Sequence, residues 1–418
     1  MRHSRCVILL ELLAVIALAG CAGRPHGVLT PTHARAPGTS VVDMLVVTTR
    51  GPSDSPGELF SGERGERASF ADIAISIPPA GARQIGEVQW PNAVPGDPSR
   101  EFVTLNAEVL DKSAAVARFD ARIKKTHARQ ALVFVHGFNT RFEEAVYRFA
   151  QVVHDADTSA LPVLFTWPSR GKLLAYGYDH ESASSSRDTL EALLQGLARD
   201  PNVGEISILA HSMGNWVTME ALRQMVIRDK QLAPKIKNIM LAAPDVDYNV
   251  FERQIALIGV RPSLVTLFVS RDDEALAASR RVWGDNPRVG AIDPDREPYH
   301  SDLAKDRITV VDLTDVKSSD LLGHGKYASS EVVRAIGARL EGGQTLSDSQ
   351  PGVGDKFGQI AVGAASSVGA VAGAAVAAPF AIVDPRTAEN MSDRLEQFGF
   401  HVGDTVDAGA AAVAVPLK

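Results

Sequence analysis

Cysteine is nearly absent from this chain of 418 residues, which contains only Cys6 and Cys21. Cys6 lies in a stretch that is typical of a cleavable leader, so the remaining chain would have one cysteine and no internal disulfide. The shortage also excludes catalysis by a cysteine thiolate and zinc sites built on cysteine ligands. A fold without disulfides needs a large hydrophobic core, and a chain of this length can supply one.

An excess of positive charge is also absent, since the formal net charge is −7 at pH 7. A protein that binds nucleic acid needs a basic surface to meet the phosphates, so we do not expect DNA or RNA as a partner. The hydrophobic share of 45% and the charged share of 22% are those of an ordinary globular protein. The length allows one large domain with extensions, or two domains.

The N-terminal hydrophobic run is too short for a comfortable transmembrane helix and suits a signal peptide instead. Residues 7–19 are apolar except for Glu11, and Arg2 and Arg5 precede them. Residues 18–21 are Leu-Ala-Gly-Cys, which resembles a bacterial lipobox. That resemblance implies cleavage before Cys21 and a lipid on its thiol. A plain signal peptide with a chance cysteine is the alternative.

These features divide the chain into four parts. We expect a signal peptide over residues 1–20, a lipidated tether over 21–40, a folded domain over 41–342, and a linker with an Ala/Gly-rich extension over 343–418. Residues 360–383 carry no charge, which suits a membrane-contacting helix, a helix packed on the body or a weakly ordered tail. The lipid would hold the protein in the bacterial envelope, facing the periplasm, with the leaflet and any protein partner left open.

Within the folded domain, the pattern changes from strands alone to strands alternating with helices. The N-terminal part has predicted strands at 43–50, 71–77, 88–90 and 102–109, with a loop over 51–67. From residue 131 onward, short apolar runs alternate with segments of helical periodicity. The later predicted strands are 131–135, 162–166, 205–209, 236–242, 264–269 and 308–312, and the predicted helices are 142–155, 182–198, 215–226 and 330–340. This alternation predicts an α/β fold with a mostly parallel sheet and a β-rich N-terminal part.

One short stretch, residues 206–216, has the pattern of a strand, a very tight turn and a helix, with Ser212 at the turn. The small residues Ala210 and Gly214 leave room for a strained backbone there. A serine at such an apex holds its hydroxyl clear of the backbone. We therefore interpret Ser212 as a nucleophile, which needs a base to accept its proton and an acid to orient that base.

The base and the acid should lie downstream of the serine, in loops that follow strands. His324 is the preferred base because it lies between the last predicted strand and the last predicted helix; His300 precedes that strand and is the rival. Three aspartates that follow predicted strands are candidates for the acid. Asp273 is preferred, then Asp272, then Asp245, and each could instead cap the N-terminus of a helix.

A negatively charged tetrahedral intermediate also needs about two N–H donors that are already in place. One candidate is the backbone N–H of Met213, directly after the serine. The other is the N–H of Phe138, because Gly137 lets the backbone turn after a buried strand. Trp167 and Arg170 follow another predicted strand on the same side of the sheet. They are candidates for a substrate pocket, against the alternative of ordinary loop packing.

Several of these segments together resemble a bacterial α/β-hydrolase family of unknown function that is described as esterase- or lipase-like. The segments that carry the resemblance are 134–140, 165–171, 209–215, 242–247 and 323–324. The resemblance implies the α/β-hydrolase fold over roughly residues 43–340 and a catalytic triad of Ser212, Asp273 and His324. It also implies that Ala210, where such turns usually have glycine, is tolerated.

The expected function is hydrolysis of a small-molecule or lipid carboxylic ester through a covalent acyl-enzyme. Neither a metal nor an organic cofactor is expected, because serine, histidine and aspartate supply the chemistry. Two alternatives stay open. One is a non-catalytic envelope protein that keeps the fold for binding or assembly, and the other is an acyltransferase that uses the same residues.

Overall fold

A nine-stranded sheet runs through the part of the chain that the computed structural model describes. The described residues are 26–126, 129–259, 264–318, 320 and 322–341. The predicted signal peptide, Cys21, the first residues of the tether, and the C-terminal extension with residues 360–383 lie outside them. The four-part division of the chain therefore stays a prediction.

The strands follow the order β3-β2-β1-β5-β4-β6-β7-β8-β9 across the sheet. Pairing is antiparallel between β1 and β2 and between β2 and β3, and every other neighbouring pair is parallel. The strands are β1 (Ser40–Pro52), β2 (Phe60–Ile77), β3 (Val103–Leu110), β4 (Gln130–Val135), β5 (Leu161–Thr166), β6 (Glu205–His211), β7 (Ile236–Ala242), β8 (Val265–Val269) and β9 (Thr309–Asp312).

Helices connect the parallel strands. They are α1 (Lys112–Ile123), α2 (Phe142–Asp155), α3 (Tyr176–Arg199), α4 (Met213–Asp229), α5 (Tyr248–Ile258), α6 (Glu274–Val282), α7 (Tyr299–Lys305) and α8 (Ser330–Glu341). Single 3₁₀ turns lie at Ala80–Ala82, Leu173–Ala175, Val289–Ala291 and Lys326–Ala328. None of the helices in the described ranges is long and apolar enough to span a bilayer.

The sheet separates two hydrophobic cores, one on each of its faces. In β4, Ala131 and Val133 belong to one core, and Leu132 and Phe134 belong to the other. Helices α3, α4 and α5 pack on the first core, and α2 and α8 pack on the second. Because both faces are covered, the central strands are apolar at nearly every position instead of alternating.

The sheet and its helices confirm the predicted fold class, an α/β-hydrolase architecture with a mostly parallel sheet. Helix α2 and strand β7 have the predicted bounds. The short helices α1, α5, α6 and α7 were not predicted, because each is too short to give a long periodic pattern; α5 nevertheless buries Tyr248, Phe251, Ile255 and Ile258.

Three local predictions were wrong. Much of the predicted loop 51–67 is strand, since β1 extends to Pro52 and β2 begins at Phe60. The reason is that this end of the hairpin is largely exposed and lacks an apolar alternation. Residues 88–90 form no strand, and Trp90 instead stacks on Tyr147 at 5.0 Å between ring centres. Helix α3 begins at Tyr176, earlier than predicted.

Candidate active site

Ser212 has the backbone of a strained turn between strand β6 and helix α4. Its φ is 53° and its ψ is −124°, a region that non-glycine residues rarely adopt. Such a conformation costs about 1–3 kcal/mol and persists only where the surroundings hold it in place. The serine N–H donates to the carbonyl of Ala242 at 2.9 Å, which ties the turn to the end of β7.

Asn215 and Gly214 hold this turn from the helix side. The Asn215 side-chain amide donates to the carbonyls of Ser212 and Ala242, both at 2.9 Å. A Cβ on Gly214 would lie 2.4 Å from the carbonyl oxygen of His136, so only glycine lets α4 approach the end of β4 this closely. The turn is therefore built by backbone contacts from β4, β6 and β7 together.

His324 lies in the loop after β9 and is joined to Asp273 at the end of β8. The His324 Nδ1 is 2.7 Å from Asp273 Oδ2. The other oxygen, Asp273 Oδ1, accepts from the backbone N–H of Leu276 at 2.9 Å and caps helix α6. The sequence left open whether Asp273 caps a helix or binds the imidazole. In the structure it does both, with one oxygen for each contact. Although burial opposes the charged form, the Asp273 carboxylate raises the pKa of His324 above its ordinary value.

Asp272 pairs with Lys326 and not with His324. Its two oxygens lie 2.7 and 2.9 Å from Nζ of Lys326, and this pairing outweighs burial and lowers the pKa of Asp272. The same ammonium donates to the carbonyls of Leu313 and Thr314. Lys326 thus fastens the loop of His324 to the ends of β8 and β9.

Asp245 also has partners of its own. Its oxygens accept from the hydroxyl of Tyr176 at 2.7 Å and from Ser279 Oγ at 2.6 Å, and the guanidinium of Arg288 lies 3.4 Å away. The Asp245 backbone N–H donates to the carbonyl of Ser212 at 3.3 Å. This aspartate therefore supports the serine turn and carries no contact to an imidazole in the described residues.

His211, next to the serine, supports the His324 loop. Its Nε2 lies 3.1 Å from the carbonyl oxygen of His324, and its ring stacks on Tyr327 with 4.3 Å between ring centres. Burial, together with the nearby His324, lowers the pKa of His211 well below its ordinary value. A neutral ring that donates to a carbonyl gives His211 a structural role in this loop.

The loop with Phe138 lies against Ser212. A Cβ on Gly137 would lie 2.8 Å from the Cβ of Ser212, so the two backbones are in close contact. Met213 is the first residue of α4, where backbone N–H groups have no partner within the helix. The N–H groups of Phe138 and Met213 are thus carried by the two segments that meet at the serine.

Buried His136 and Arg50 hold this loop from beneath. The Nε2 of His136 accepts from the backbone N–H of Trp167 at 3.2 Å, so the ring is neutral, and burial with the nearby Arg50 charge lowers its pKa to about 3. Arg50 donates to the carbonyls of Thr140 at 2.7 Å and Ser169 at 2.9 Å. These contacts fix the loop after β4 relative to β1 and the loop after β5.

The Ser212 hydroxyl donates no hydrogen bond to His324 within the described residues. Catalytic hydrogen bonds of this kind are often long without substrate and tighten when substrate binds. What the described geometry brings together is an ion-paired imidazole, a strained serine and two segments with N–H donors at one edge of the sheet. Chemically, such a set can activate a hydroxyl and stabilise an oxyanion.

The prediction that Trp167 lines a substrate pocket is wrong. The Trp167 side chain is 0% exposed, its Nε1 donates to the carbonyl of His136 at 2.8 Å, and its ring stacks on that imidazole. It belongs to the core and lines no accessible pocket. Arg170 is at the surface, where Glu63 binds its guanidinium at 2.8 and 2.9 Å and Tyr178 lies beneath it.

A different cavity is lined by residues of the candidate site. It has a volume of about 580 Å³, and its lining residues include Gly137, His211 and His324 together with Arg148 and Tyr327. Sequence reasoning missed these last two residues together with Arg50, Lys326 and Asn215. Their contact partners are mostly distant in sequence, so no local pattern indicates them.

One group of possible metal ligands occurs in the described residues, and it does not include the candidate catalytic residues. Its ligand atoms, from His26, Glu58 and Glu143, lie within 4.8 Å of one another. The guanidinium of Arg141 already lies 2.8 Å from the His26 ring and 3.4 Å from Glu143. Because a cation is built into this cluster, its carboxylates have a counterion without a metal.

Comparison with known families identifies the family of this chain. The model of a family described as "Alpha/beta hydrolase of unknown function (DUF900)" matches residues 111–342, more than half of the chain. The chain belongs to this family. The matched range of this α/β hydrolase includes the serine turn, the loop with Phe138, and all three candidate aspartates together with His324.

One curated relative is described as an uncharacterized protein, alr1448, of Nostoc sp. (strain PCC 7120 / SAG 25.82 / UTEX 2576). It is 25% identical to this α/β hydrolase over 171 residues, which cover 34% of this chain and 43% of the relative. The chain therefore matches less than half the length of that relative. The relative's description names no substrate.

Proposed function

We propose that this α/β hydrolase is a serine hydrolase that cleaves carboxylic esters through an acyl-enzyme. Ser212 would be the nucleophile, His324 the general base and Asp273 the acid that orients it. The backbone N–H groups of Phe138 and Met213 would form the oxyanion hole. The observations that carry the proposal are the strained backbone of Ser212 and the imidazole of His324, which Asp273 holds at 2.7 Å. The centre of that imidazole lies 4.7 Å from the ring centre of His211, the residue before the serine.

In the first half of the reaction, the Ser212 oxygen attacks the ester carbonyl carbon while Nε2 of His324 accepts its proton. This step requires the ring to come within hydrogen-bond reach of the hydroxyl. The C=O π electrons move to the oxygen, and the two N–H groups stabilise that charge. Asp273, through Nδ1, keeps Nε2 free to accept and stabilises the imidazolium that forms.

In the second half, the tetrahedral intermediate collapses and the C–O bond to the alcohol breaks. The imidazolium of His324 gives its proton to the leaving oxygen, which leaves an acyl group on Ser212. Water then takes the place of the alcohol: His324 accepts a proton from it, and the carboxylic acid departs as the serine recovers its proton. One ester and one water are consumed, and one acid and one alcohol are formed.

A fluorophosphonate probe tests the proposal, because it reacts with activated serines. We expect the wild-type protein and a Ser99→Ala control to be labelled and to hydrolyse short-chain p-nitrophenyl esters. Ser99 is exposed, and its hydrogen bonds among the described residues go to Asp97. Ser212→Ala should lose both activities. Wild-type protein that does not react, or equal labelling of Ser212→Ala, would reject the serine mechanism and favour a non-catalytic role.

We also propose that the protein is held in the bacterial envelope by a lipid on Cys21, since residues 18–21 resemble a lipobox. The folded domain would then face the periplasm at the end of a short tether. Metabolic labelling with a clickable fatty acid tests this. We expect label on the wild-type protein and none on Cys21→Ser, and an unlabelled wild-type protein would contradict the lipid anchor.

A further inference from the structure

The cavity beside the candidate active site has cationic and hydroxyl groups that the proposed reaction does not use. It lies between the loop after β4 and the loop that contains His324, and Gly137, His211 and His324 are among its lining residues. A Cβ on Gly137 would lie 2.8 Å from the Cβ of Ser212, so one lining residue of the cavity touches the serine. A ligand in the cavity would therefore lie next to the serine turn.

Arg148 of helix α2 lines the cavity without a carboxylate partner. Its Nη1 donates to the carbonyl oxygen of Gly86 at 3.1 Å and to the amide oxygen of Gln151 at 2.8 Å, and both acceptors are neutral. No ion pair joins its guanidinium to an acid within the described residues. A half-buried arginine that has no direct ion pair and lies at a cavity wall is suited to bind an anion.

Tyr327 supplies a second donor to the same cavity. Only 4% of this residue is exposed, and its ring is held against His211. Its hydroxyl makes no hydrogen bond to any residue that the structure describes. Burial raises the pKa of the Tyr327 hydroxyl to about 12, so the group stays protonated and able to donate at neutral pH. The exposed Lys317 adds a further positive charge to the wall.

The acidic side chains of the cavity have local donors. Glu144 accepts from the backbone N–H of Arg141 at 2.8 Å, Asp320 from that of Gly325 at 2.7 Å, and Glu87 from the side-chain amide of Gln84 at 3.1 Å. Glu144 and Asp320 in particular serve a helix cap and a loop turn. The donors with positive charge or a free phenol that remain available to a ligand are those of Arg148, Tyr327 and Lys317, and the buried hydroxyl of Ser329 also lines the cavity.

We propose that Arg148 and Tyr327 form a subsite for an anionic group of the substrate, a carboxylate or a phosphate, so that the preferred esters are anionic. The guanidinium would bind two oxygens of the anion and the phenol one more, while the ester carbonyl lies at Ser212. This proposal rests on the proposed esterase function and specifies its substrate class.

Two matched pairs of esters test the kinetic consequence. In the first pair, p-nitrophenyl hexanoate is compared with the mono-p-nitrophenyl ester of adipic acid, which adds a carboxylate to the acyl end. In the second pair, phenyl butanoate is compared with 4-carboxyphenyl butanoate, which places the carboxylate on the phenol that leaves. We expect wild-type kcat/KM to favour the anionic ester in at least one pair. Added salt should reduce that preference.

Variants separate this subsite from a structural role. Arg148→Gln should lower kcat/KM for the preferred anionic ester by about 10–100-fold, the value of a charge-assisted hydrogen bond, and for its neutral partner by less than about 3-fold. Arg148→Lys should recover part of the loss. Tyr327→Phe keeps the ring on His211 and should lower only the anionic rate. Arg187→Gln in α3, where the side chain is 43% exposed and lies near Asp188, is the control and should change neither.

A binding experiment does not depend on turnover. Adipate and inorganic phosphate are titrated into Ser212→Ala protein, with and without Arg148→Gln, by calorimetry. We expect at least one anion to bind, which identifies the favoured chemistry, and Arg148→Gln to weaken it by about 10-fold or more. If binding is found but no ester is cleaved, the subsite stands and the esterase function fails.

Two results would overturn the subsite. One is a wild-type enzyme that prefers the neutral ester in both pairs. The other is Arg148→Gln protein that binds the anions as before, or that loses neutral and anionic rates equally, because either pattern would make Arg148 a structural residue of α2.

Discussion

Three aspartates stand near the carboxyl ends of β7 and β8, and their partners separate what each can do. Asp273 binds His324, Asp272 binds Lys326, and Asp245 accepts from Tyr176 and Ser279. Asp272 and Asp273 are adjacent in sequence, and both oxygens of each carboxylate have hydrogen-bond partners. Only Asp273 contacts an imidazole. In the proposed mechanism the acid is therefore Asp273, and Asp272 acts on the loop through Lys326.

Replacing each of these neighbours by asparagine should give different outcomes. Asp273→Asn should lower kcat by about 10³–10⁴-fold, because the imidazole loses the carboxylate that orients it and stabilises its charge. Asp272→Asn should leave kcat within about 10-fold and lower the free energy of unfolding by about 1–3 kcal/mol, since the buried Lys326 ammonium loses its anion. Steady-state kinetics and urea unfolding measure both. Equal kinetic losses would contradict this division.

The His324–Asp273 pair predicts a pH dependence. Only neutral His324 can accept a proton, and its pKa is raised, so kcat/KM should fall as the pH drops through a value above about 6.5. In Asp273→Asn, burial acts without the opposing carboxylate, so this limb should move to lower pH. The raised pKa also means that the pair stabilises the fold most below about pH 6.5 and loses this contribution as the pH rises through the folded-state pKa. An unshifted limb in Asp273→Asn would refute the assignment.

At the scale of elements, the candidate site is made by loops that leave the same edge of the sheet. The loop after β4 meets the turn between β6 and α4, and the loops after β8 and β9 meet through Asp273, Lys326 and His324. Parallel strands place all their carboxyl ends at one edge, which is where ligand sites form in open α/β sheets. Close backbone approach, rather than long side chains, sets the distance between the first two segments.

Gly137→Ala should therefore act on activity more than on folding. The added Cβ would lie 2.8 Å from the Cβ of Ser212 and 2.9 Å from Nδ1 of His211, so the Phe138 loop must move. We expect kcat to fall by about 10²–10³-fold, as when an oxyanion donor is lost, and the free energy of unfolding to fall by about 1–3 kcal/mol.

Gly196→Ala is the matched control, because a Cβ there has nothing within 4 Å. It lies inside helix α3, so alanine should keep activity and add up to about 1 kcal/mol of stability. Similar activity in Gly137→Ala and wild-type protein would place the oxyanion donors elsewhere.

At the scale of the whole molecule, Arg50 joins the antiparallel N-terminal strands to the parallel part of the sheet. It is 0% exposed, and it donates to the carbonyls of Ser61 in β2, Thr140 after β4 and Ser169 after β5. Burial lowers its pKa to about 10, so the guanidinium stays charged at neutral pH. The β-rich N-terminal part thus supports the loop that carries Phe138.

Arg50→Met should lower both stability and activity. Methionine replaces only the stem of the arginine, so it leaves three partly or fully buried carbonyls without this donor, which should lower the free energy of unfolding by about 2–5 kcal/mol. Arg67→Met on the exposed part of β2 is the control and should stay within about 0.5 kcal/mol of wild type. Urea unfolding with parallel kinetics checks the pair, and an unchanged Arg50→Met protein would remove Arg50 from the support of the site.

Much of this protein's architecture is determined by its sequence alone, because the relevant signals are local. Continuous apolar runs identify strands buried on both faces, helical spacing identifies α2, and small residues around Ser212 identify the strained turn. The same signals place His324 and the candidate aspartates after strands. Weak local signals explain the errors: the exposed end of β2 lacks alternation, and short helices such as α6 lack a clear period.

Only the tertiary structure decides which side chains meet. Asp272 and Asp273 look alike in sequence, and the contacts with Lys326 and His324 that distinguish them span more than 50 residues of chain. Trp167 follows a strand like the other site residues, yet its side chain packs into the core. Arg148 and Arg50 resemble ordinary surface arginines until the fold surrounds them. The physical reason is that side-chain direction and burial depend on packing between distant elements, which no local pattern encodes.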